Sequence, residues 1–156
     1  MSSEPRAYEL PLRLLLGFRV LIDGLHERLR REGHPDLRPL DGFVLQAVAG
    51  GGVTATELGR RLGISKQGAA KHVEALERSG YVERRADPAD ARSKRLDLTD
   101  RGRDALVRSA AIFEDLRADW ARALGEERLR ALEEDLRRLT PSGVFPLDTP
   151  GWFGGH

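Results

Sequence analysis

The chain has 156 residues, 33% of them charged and none of them cysteine, and its net charge is close to zero at +1. This length fits one domain of ordinary size, and the lack of cysteine excludes disulfide frameworks and thiol-based redox switches. The charge is unevenly distributed, because residues 54–103 hold 12 basic and 8 acidic side chains whereas residues 104–156 hold 7 basic and 10 acidic ones.

The N-terminal region shows no targeting signal. The first ten residues lack a basic stretch followed by an unbroken apolar run and a cleavage site. The apolar stretch from Leu12 to Ile22 is interrupted by Arg13 and Arg19, and it is shorter than the ~20 residues that a membrane-spanning helix needs. We therefore expect a soluble, cytoplasmic protein that does not associate with a membrane.

A first helix is predicted from Pro11 to Glu32, because proline favours the first turn and Gly33 follows the last. Its apolar residues form two stripes, which are Leu14, Phe18, Leu21 and Leu25 on one side and Leu15, Ile22 and Leu29 on the other. A small chain has little core of its own with which to bury a second stripe. We expect this face to contact a partner subunit in a homodimer.

Three short helices separated by glycines are predicted next. The first covers about Leu40 to Val48. The second runs from Thr54 to Leu62 and opens with a T-x-x-E capping box. The third runs from Ser65 to Ser79, with its apolar side chains spaced for one buried face.

The pattern then alternates as in strands, over Tyr81–Arg85 and Lys94–Leu98. The span between them, Ala86–Arg92, is too long for a two-residue turn, so we expect a projecting basic loop. A long helix begins at Thr99 and carries Leu106, Phe113 and Trp120 every seven residues. A last helix contains four leucines at helical spacing, and no periodicity remains after residue 140.

This order of elements predicts a mostly α-helical fold with one small β-hairpin, namely a winged helix-turn-helix with N- and C-terminal dimerisation helices. The expected divisions are an N-terminal dimerisation helix over 1–38, the winged helix-turn-helix over 39–103, C-terminal dimerisation helices over 104–140 and an irregular tail over 141–156. In such a fold the helix at 65–79 enters the major groove of DNA, while the preceding helix supports it.

The face of this recognition helix that points away from the core carries donors suited to DNA. Gln67 can pair with adenine, Lys71 can reach guanine or phosphate, and Ala70 can touch a thymine methyl group. Ser65 and the first-turn N–H groups suit a phosphate. Singly, each residue also fits a solvated surface, but together with the basic hairpin they favour DNA binding. The predicted contact residues are Ser65, Lys66, Gln67, Ala70, Lys71, Arg84, Arg85, Asp90, Arg92 and Lys94.

The stretch GISKQGAAKHVEALERSGYVERRADPADARSKRLDLTDRG resembles the core of the MarR (multiple antibiotic resistance regulator) family of bacterial transcription factors. The shared motifs are D-P-x-D-x-R, ending at Arg92, and L-T-x-x-G, ending at Gly102. The resemblance implies a repressor that binds a pseudo-palindromic operator as a dimer. It also implies that Arg92 enters the minor groove while Asp90 braces it.

The same resemblance implies release of DNA by a small, often aromatic or anionic, effector that binds between the dimer core and the DNA-reading part. Candidate effector-binding residues are Phe18, Arg19, Ile22, Phe43 and Phe113, although ordinary core packing explains the aromatic residues equally well. The tail with Trp152 and Phe153 lies outside the resemblance. It either lacks regular structure or contacts the partner subunit.

Three rival interpretations remain. An enzyme is disfavoured, because the four histidines are scattered and no nucleophile, metalloprotease or phosphate-loop motif occurs, so we predict no catalytic residue and no cofactor. A metal-responsive repressor is disfavoured because His26 and His34 lack ordered ligand spacing, and we predict no metal. A winged-helix module that binds protein without specific DNA binding is the main alternative, since a fold does not fix a function.

Overall fold

The computed structural model describes residues 6–140, so the tail with Trp152 and Phe153 lies outside the described part. The elements are α1 (Glu9–Arg31), α2 (Pro39–Ala49), α3 (Ala55–Leu62), α4 (Lys66–Arg78), β1 (Val82–Asp87), β2 (Asp90–Leu98), α5 (Asp100–Leu124) and α6 (Glu126–Leu139). We call residues 39–98 the lobe, and α1, α5 and α6 the stem. The predicted fold class is confirmed, as the helices and the hairpin occur in the predicted order.

The boundaries of the short helices follow from capping. Thr54 accepts a hydrogen bond from the backbone N–H of Glu57 at 3.2 Å, and the Glu57 carboxylate accepts one from the N–H of Thr54 at 3.2 Å. Gly63 ends α3 with φ +65°, a left-handed conformation that favours glycine. Ser65 Oγ then accepts the N–H of Gly68 at 3.0 Å and starts α4.

The core lies inside the lobe and extends into the stem. In the lobe, apolar side chains from α2, α3, α4 and the hairpin pack together, with Val44, Leu58, Val73 and Tyr81 fully buried. Two helices of the stem contribute the rest, through Leu25 and Leu29 of α1 and Ile112 and Leu116 of α5. Burial of this kind is the main favourable term in folding, at roughly 25 cal/mol per Å² of apolar surface.

Burial along α1 differs from the prediction of one buried stripe and one stripe that contacts a partner. Both stripes are buried near the C-terminus of the helix, at Leu25 and Leu29, and both are about half exposed near its N-terminus, at Leu14 and Leu15. Leu25 and Leu29 belong to the core cluster that joins α1 to the lobe and to α5, whereas that cluster contains no residue from the N-terminal half of α1. The N-terminal half carries an exposed apolar surface whichever stripe is followed.

The tip of the hairpin is shorter than the sequence predicted, so the expectation of a seven-residue projecting loop is wrong. Antiparallel pairing continues to Asp87 and Asp90, with only Pro88 and Ala89 between them, and the extra residues form a bulge on β2. The carboxylate of Asp87 accepts the N–H of Ala89 at 2.9 Å, which stabilises the tight turn. The base of the hairpin is attached to the segment between α2 and α3, because the N–H of Leu96 donates to Val53 O at 2.9 Å.

The start of α5 approaches the lobe closely at Gly102. A Cβ atom at this position would lie 2.2 Å from the carbonyl oxygen of Tyr81, so only glycine fits. Thr99 holds the same place, because its Oγ1 accepts the N–H of Gly102 and donates to the carbonyl of Gly80. Among the helices of residues 6–140, none is long and apolar enough to cross a membrane.

Candidate nucleic-acid interface

The helix α4 exposes its polar face to solvent because its apolar face packs against α3. Ala69, Val73 and Leu76 are buried, and Gly59 of α3 lets Ala69 approach so closely that a Cβ at Gly59 would lie 3.0 Å from the Cβ of Ala69. This packing leaves Ser65, Lys66, Gln67 and Lys71 exposed along one side, as predicted, with Ala70 partly buried among them. The side chains that could read DNA therefore share one accessible surface.

The cations of this surface have no intramolecular partner. Within residues 6–140, Lys66, Lys71 and Arg78 make no ion pair. The two salt bridges of α4 instead involve His72 and Glu77, which face other elements. Free ammonium and guanidinium groups can neutralise phosphates without first breaking an existing pair.

The hairpin contains both free and paired cations. Arg92 and Lys94 near its tip are exposed, and in the described part of the chain neither forms an ion pair. Arg84 donates to Glu77 at 2.8 Å, and Arg85 lies 2.6 Å from Glu83. The four basic side chains of the hairpin that were predicted as contacts thus fall into two classes, two free at the tip and two already paired on β1.

The acidic residues of the tip act on the backbone and not on the guanidinium of Arg92. Asp90 Oδ1 accepts the backbone N–H of Arg92 at 2.9 Å. Asp90 thus braces the loop through a backbone N–H group. The side chain of Arg92 therefore extends into solvent from a backbone that Asp90 holds in place.

An ion pair between Asp87 and Arg95 holds the hairpin, and the sequence did not reveal it. Arg95 Nε lies 3.0 Å from the Asp87 carboxylate, whose side chain is 11% exposed. The N–H of Ala89 and the guanidinium of Arg95 lower the pKa of Asp87. Arg95 also lies against Gly52 in the α2–α3 turn. The signal in the sequence that could have indicated this ion pair was a carboxylate residue at the end of a strand, beside a tight turn.

A second missed contact links α4 to α2. Asp41 is buried, and its Oδ2 accepts the N–H of Arg38 at 2.8 Å, which caps α2. Its Oδ1 lies 3.4 Å from Nδ1 of His72 on α4. The Asp41 carboxylate therefore both starts α2 and restrains α4, which an isolated Asp in a helical pattern did not reveal. Nearby on α1, burial lowers the pKa of the His26 imidazole.

The five predicted effector residues differ in their burial. Ile22 and Phe43 are buried, and Phe18, Arg19 and Phe113 are exposed. Of the five, only Phe113 lines a cavity of about 330 Å³ between α1, α5 and α6. Its other lining residues are Leu21, Glu114, Arg117, Trp120, Leu129, Leu132, Glu133 and Leu136. Residues 6–140 contain no cluster of three or more side chains that could hold a metal ion.

Comparisons with known proteins agree with this geometry. Residues 36–93 match the sequence model of the MarR family. The LexA repressor of Deinococcus radiodurans is 35% identical over 86 residues, which are 54% of this chain. The match spans only 39% of the length of that repressor.

Solved structures match over most of both chains. The transcriptional regulator Tm0710 of Thermotoga maritima is 26% identical with a TM-score of 0.62, over 85% of this chain and 90% of its own. FabT of Streptococcus pneumoniae, solved in complex with DNA, is 19% identical with a TM-score of 0.72, over 86% and 94%. MarR of E. coli is 20% identical with a TM-score of 0.69, over 89% and 100%.

The similarity to these regulators covers the terminal helices as well as the lobe, and the family model covers the part of the lobe that contains α4 and most of the hairpin. Residues 36–93 are therefore similar to the MarR family, and over most of its length the chain has the fold of these solved regulators.

Proposed function

We propose that the protein is a DNA-binding transcriptional regulator that acts as a homodimeric repressor on a pseudo-palindromic operator. The observation that carries this proposal is the set of cations on α4 and the hairpin tip that are exposed and without ion pairs among residues 6–140. Duplex DNA is the polyanion whose major groove fits one helix and whose minor groove admits a nearby arginine.

Each contact has a chemical role in this proposal. The Ser65 end of α4 binds a phosphate through its first-turn N–H groups. Gln67 pairs with adenine, and Lys71 donates to guanine or phosphate. Arg92 enters the minor groove, and Lys94 contacts the backbone. Arg84 and Arg85 supply positive potential, because their guanidinium groups already have carboxylate partners.

The dimer is proposed from exposed apolar surface in the stem. The large hydrophobic residues that are more than a third exposed are Tyr8, Leu10, Leu12, Leu14, Leu15, Leu16, Phe18, Val20, Val107, Phe113, Leu124, Leu132 and Leu139. Contiguous apolar surface of this kind marks an interface in a water-soluble protein. A two-fold axis through the stem gives each operator half-site one recognition helix.

Release by an effector is the remaining part of the proposal. A small molecule that binds between stem and lobe would favour a lobe orientation that does not fit the operator. Aromatic acids are the first class to test, because the similar Mycobacterium tuberculosis protein Rv2887 was solved in complex with salicylic acid. Phe18, Arg19, Ile22, Phe43 and Phe113 remain the proposed lining residues.

The decisive experiment is selection of bound sequences from a pool of random duplexes, followed by titration of the best sequence at several salt concentrations. We expect enrichment of a two-fold symmetric sequence and an affinity that falls steeply with salt. The variant K66Q/K71Q should lose binding while keeping its melting temperature, because both side chains are exposed. A pool that shows no enrichment would instead support the protein-binding module.

A further inference from the structure

A buried histidine lies where the stem meets the lobe. His34 follows α1 and is 3% exposed. Its Nδ1 lies 3.1 Å from the hydroxyl of Tyr81, and its Nε2 lies 2.8 Å from the carboxylate of Asp104. Neither the candidate DNA interface nor the apolar stem surface uses this side chain. A buried imidazole with both nitrogens hydrogen-bonded has a strictly defined orientation.

The hydrogen bonds around His34 form a chain with one consistent set of directions. Arg101 donates to the Tyr81 hydroxyl at 3.2 Å. That hydroxyl is then free to donate its own hydrogen to Nδ1 of His34, and Nε2–H donates to Asp104. Burial raises the pKa of Tyr81, so the hydroxyl keeps the hydrogen that it donates. The guanidinium of Arg101 also stacks on the ring of Tyr81, 4.7 Å from its centroid.

This chain of contacts connects the recognition helix to both long helices of the stem. Tyr81 comes three residues after the end of α4, and Asp104 lies in the first turns of α5. Arg108 of α5 extends the network, because it binds Asp104 at 2.8 Å and Glu32 at the end of α1 at 3.2 Å. The network therefore lies at the only place where the end of α1, the end of α4 and the start of α5 share hydrogen bonds among the described residues.

The hydrogen bonds of the polar network restrain the relative orientation of the packed elements, which the apolar contacts beside the network do not. The contacts of leucines such as Leu25, Leu29 and Leu116 set no particular angle between helices, because dispersion attraction depends on distance and not on direction. Hydrogen bonds between buried groups weaken steeply when their angles change. Since α5 is 25 residues long, about 38 Å, a rotation of about 5° at one end displaces the other end by about 3 Å.

We propose that the Arg101–Tyr81–His34–Asp104 network fixes the angle between lobe and stem and thereby determines the half-site spacing that the dimer accepts. This inference rests on the proposed function as a dimeric DNA-binding protein. In a two-fold dimer, the separation of the recognition helices must match half-sites about one helical turn of DNA apart. The four residues act as positioning residues, without touching DNA themselves.

The test uses the full-length protein and a series of duplexes in which two copies of the selected half-site are separated by the selected spacing or by one or two base pairs more or fewer. We expect the wild type to bind the selected spacing at least tenfold more tightly than its neighbours. Y81F removes only the hydroxyl and keeps the ring under Arg101. It should reduce that preference at least threefold, while its affinity for a single half-site stays unchanged.

A second variant and a matched control separate positioning from folding. D104N changes a half-exposed carboxylate outside the core and should relax the spacing preference in the same way. S109A removes a hydroxyl that bonds only within α5, to Ala105 O, and should leave the preference intact. A wild-type preference retained by both Y81F and D104N overturns the inference. A wild type that binds none of the duplexes overturns the proposed function itself.

Discussion

The recognition helix α4 and the long helix α5 hold their basic side chains in opposite states. All five arginines of α5, namely Arg101, Arg103, Arg108, Arg117 and Arg122, form ion pairs with nearby carboxylates. None of the three Lys and Arg residues of α4 forms one within residues 6–140. In these two helices, the paired cations of α5 thus contrast with the cations of α4, which remain available to a ligand.

The exposed apolar side chains have the reverse distribution. Among residues 6–140, all large hydrophobic residues with substantial exposure lie in the region of α1, α5 and α6, and none lies between residues 39 and 98. The lobe therefore exposes unpaired positive charge, whereas the stem exposes unpaired apolar surface. This difference matches the two unlike partners that we propose, a polyanion for the lobe and a second copy of the chain for the stem.

The largest expected effect comes from placing a charge in the apolar surface of the stem. Leu15 is 53% exposed in the single chain, so L15D should fold. Removing a leucine from an interface costs about 1.5–3 kcal/mol, and burying an unpaired carboxylate costs several more. Light scattering should show a monomer at micromolar concentration, and binding to the palindrome should fall more than 100-fold.

The conservative variant L15M is the control for this prediction, because it keeps an apolar side chain of similar volume and should remain a dimer. If L15D dimerises as tightly as the wild type, then the N-terminal half of α1 is not the interface. The exposed apolar surface of that half would then have no assigned partner.

Substitution of Gln67 tests whether the lobe reads bases. Q67A should lower discrimination at one or two base pairs by ~1–3 kcal/mol, while binding to unrelated duplexes changes little. Competition titrations with single-base variants of the selected sequence measure this difference. Q46A removes an exposed glutamine from α2 and serves as the control. An equal loss on every duplex would make Gln67 a contact to the DNA backbone.

Free and paired arginines of the hairpin should differ in their effect. R92A should weaken binding to every sequence by about 1.5 kcal/mol and reduce the salt slope by about one, with a larger loss where A·T-rich flanks narrow the minor groove. R85A should cost less, because Arg85 already contacts Glu83 and Asp97. Salt titrations of both variants decide the matter, and equal slopes would show that intramolecular pairing does not withhold a cation from DNA.

Asp90 tests bracing against simple electrostatics. D90A removes a negative charge from the tip, yet it also removes the acceptor of the Arg92 N–H, so we expect affinity to fall by about 0.5–1.5 kcal/mol. E74A is the matched control, because Glu74 is an exposed carboxylate of α4 that forms no ion pair within residues 6–140, and its removal should strengthen binding. Tighter binding by D90A with an unchanged fold would leave Asp90 without a bracing role.

The smallest effect concerns the paired charges of the stem. Arg117 lowers the pKa of both Glu126 and Glu133 below the usual 4.5. Carboxylates with a lowered pKa stabilise the folded state above their unfolded pKa, and this stabilisation is lost as the pH falls through about 4.5 and below. The melting temperature should therefore fall between pH 5 and pH 3.5.

The melting temperature of the double variant E126Q/E133Q should differ less between pH 7 and pH 4 than that of the wild type. E127Q, at an exposed position that forms no ion pair in the described part of the chain, should keep the wild-type difference. The change is expected to be small, because partly exposed ion pairs contribute little to stability. An identical pH dependence in the double variant would show that the Arg117 pairs do not couple α6 to α5.

The sequence by itself determined the elements and most of the candidate interface. Helix boundaries were predictable at Thr54, Gly63 and Ser65 because capping and left-handed turns depend on residues close together in the chain. The exposed side of α4 was predictable from the spacing of Ala69 and Val73, since the period of a helix fixes which side chains share a face.

Only the tertiary structure decided which charged and polar side chains are paired with each other. Ion pairs such as Arg95 with Asp87, and the buried contacts of His34 with Tyr81 and Asp104, join residues whose distance is set by the packing of different elements. The hairpin turn at Pro88 and Ala89 likewise depended on how far the strands pair, which local propensity does not specify. A side chain's charge can be read from the sequence, but its partner depends on which segments the core brings together.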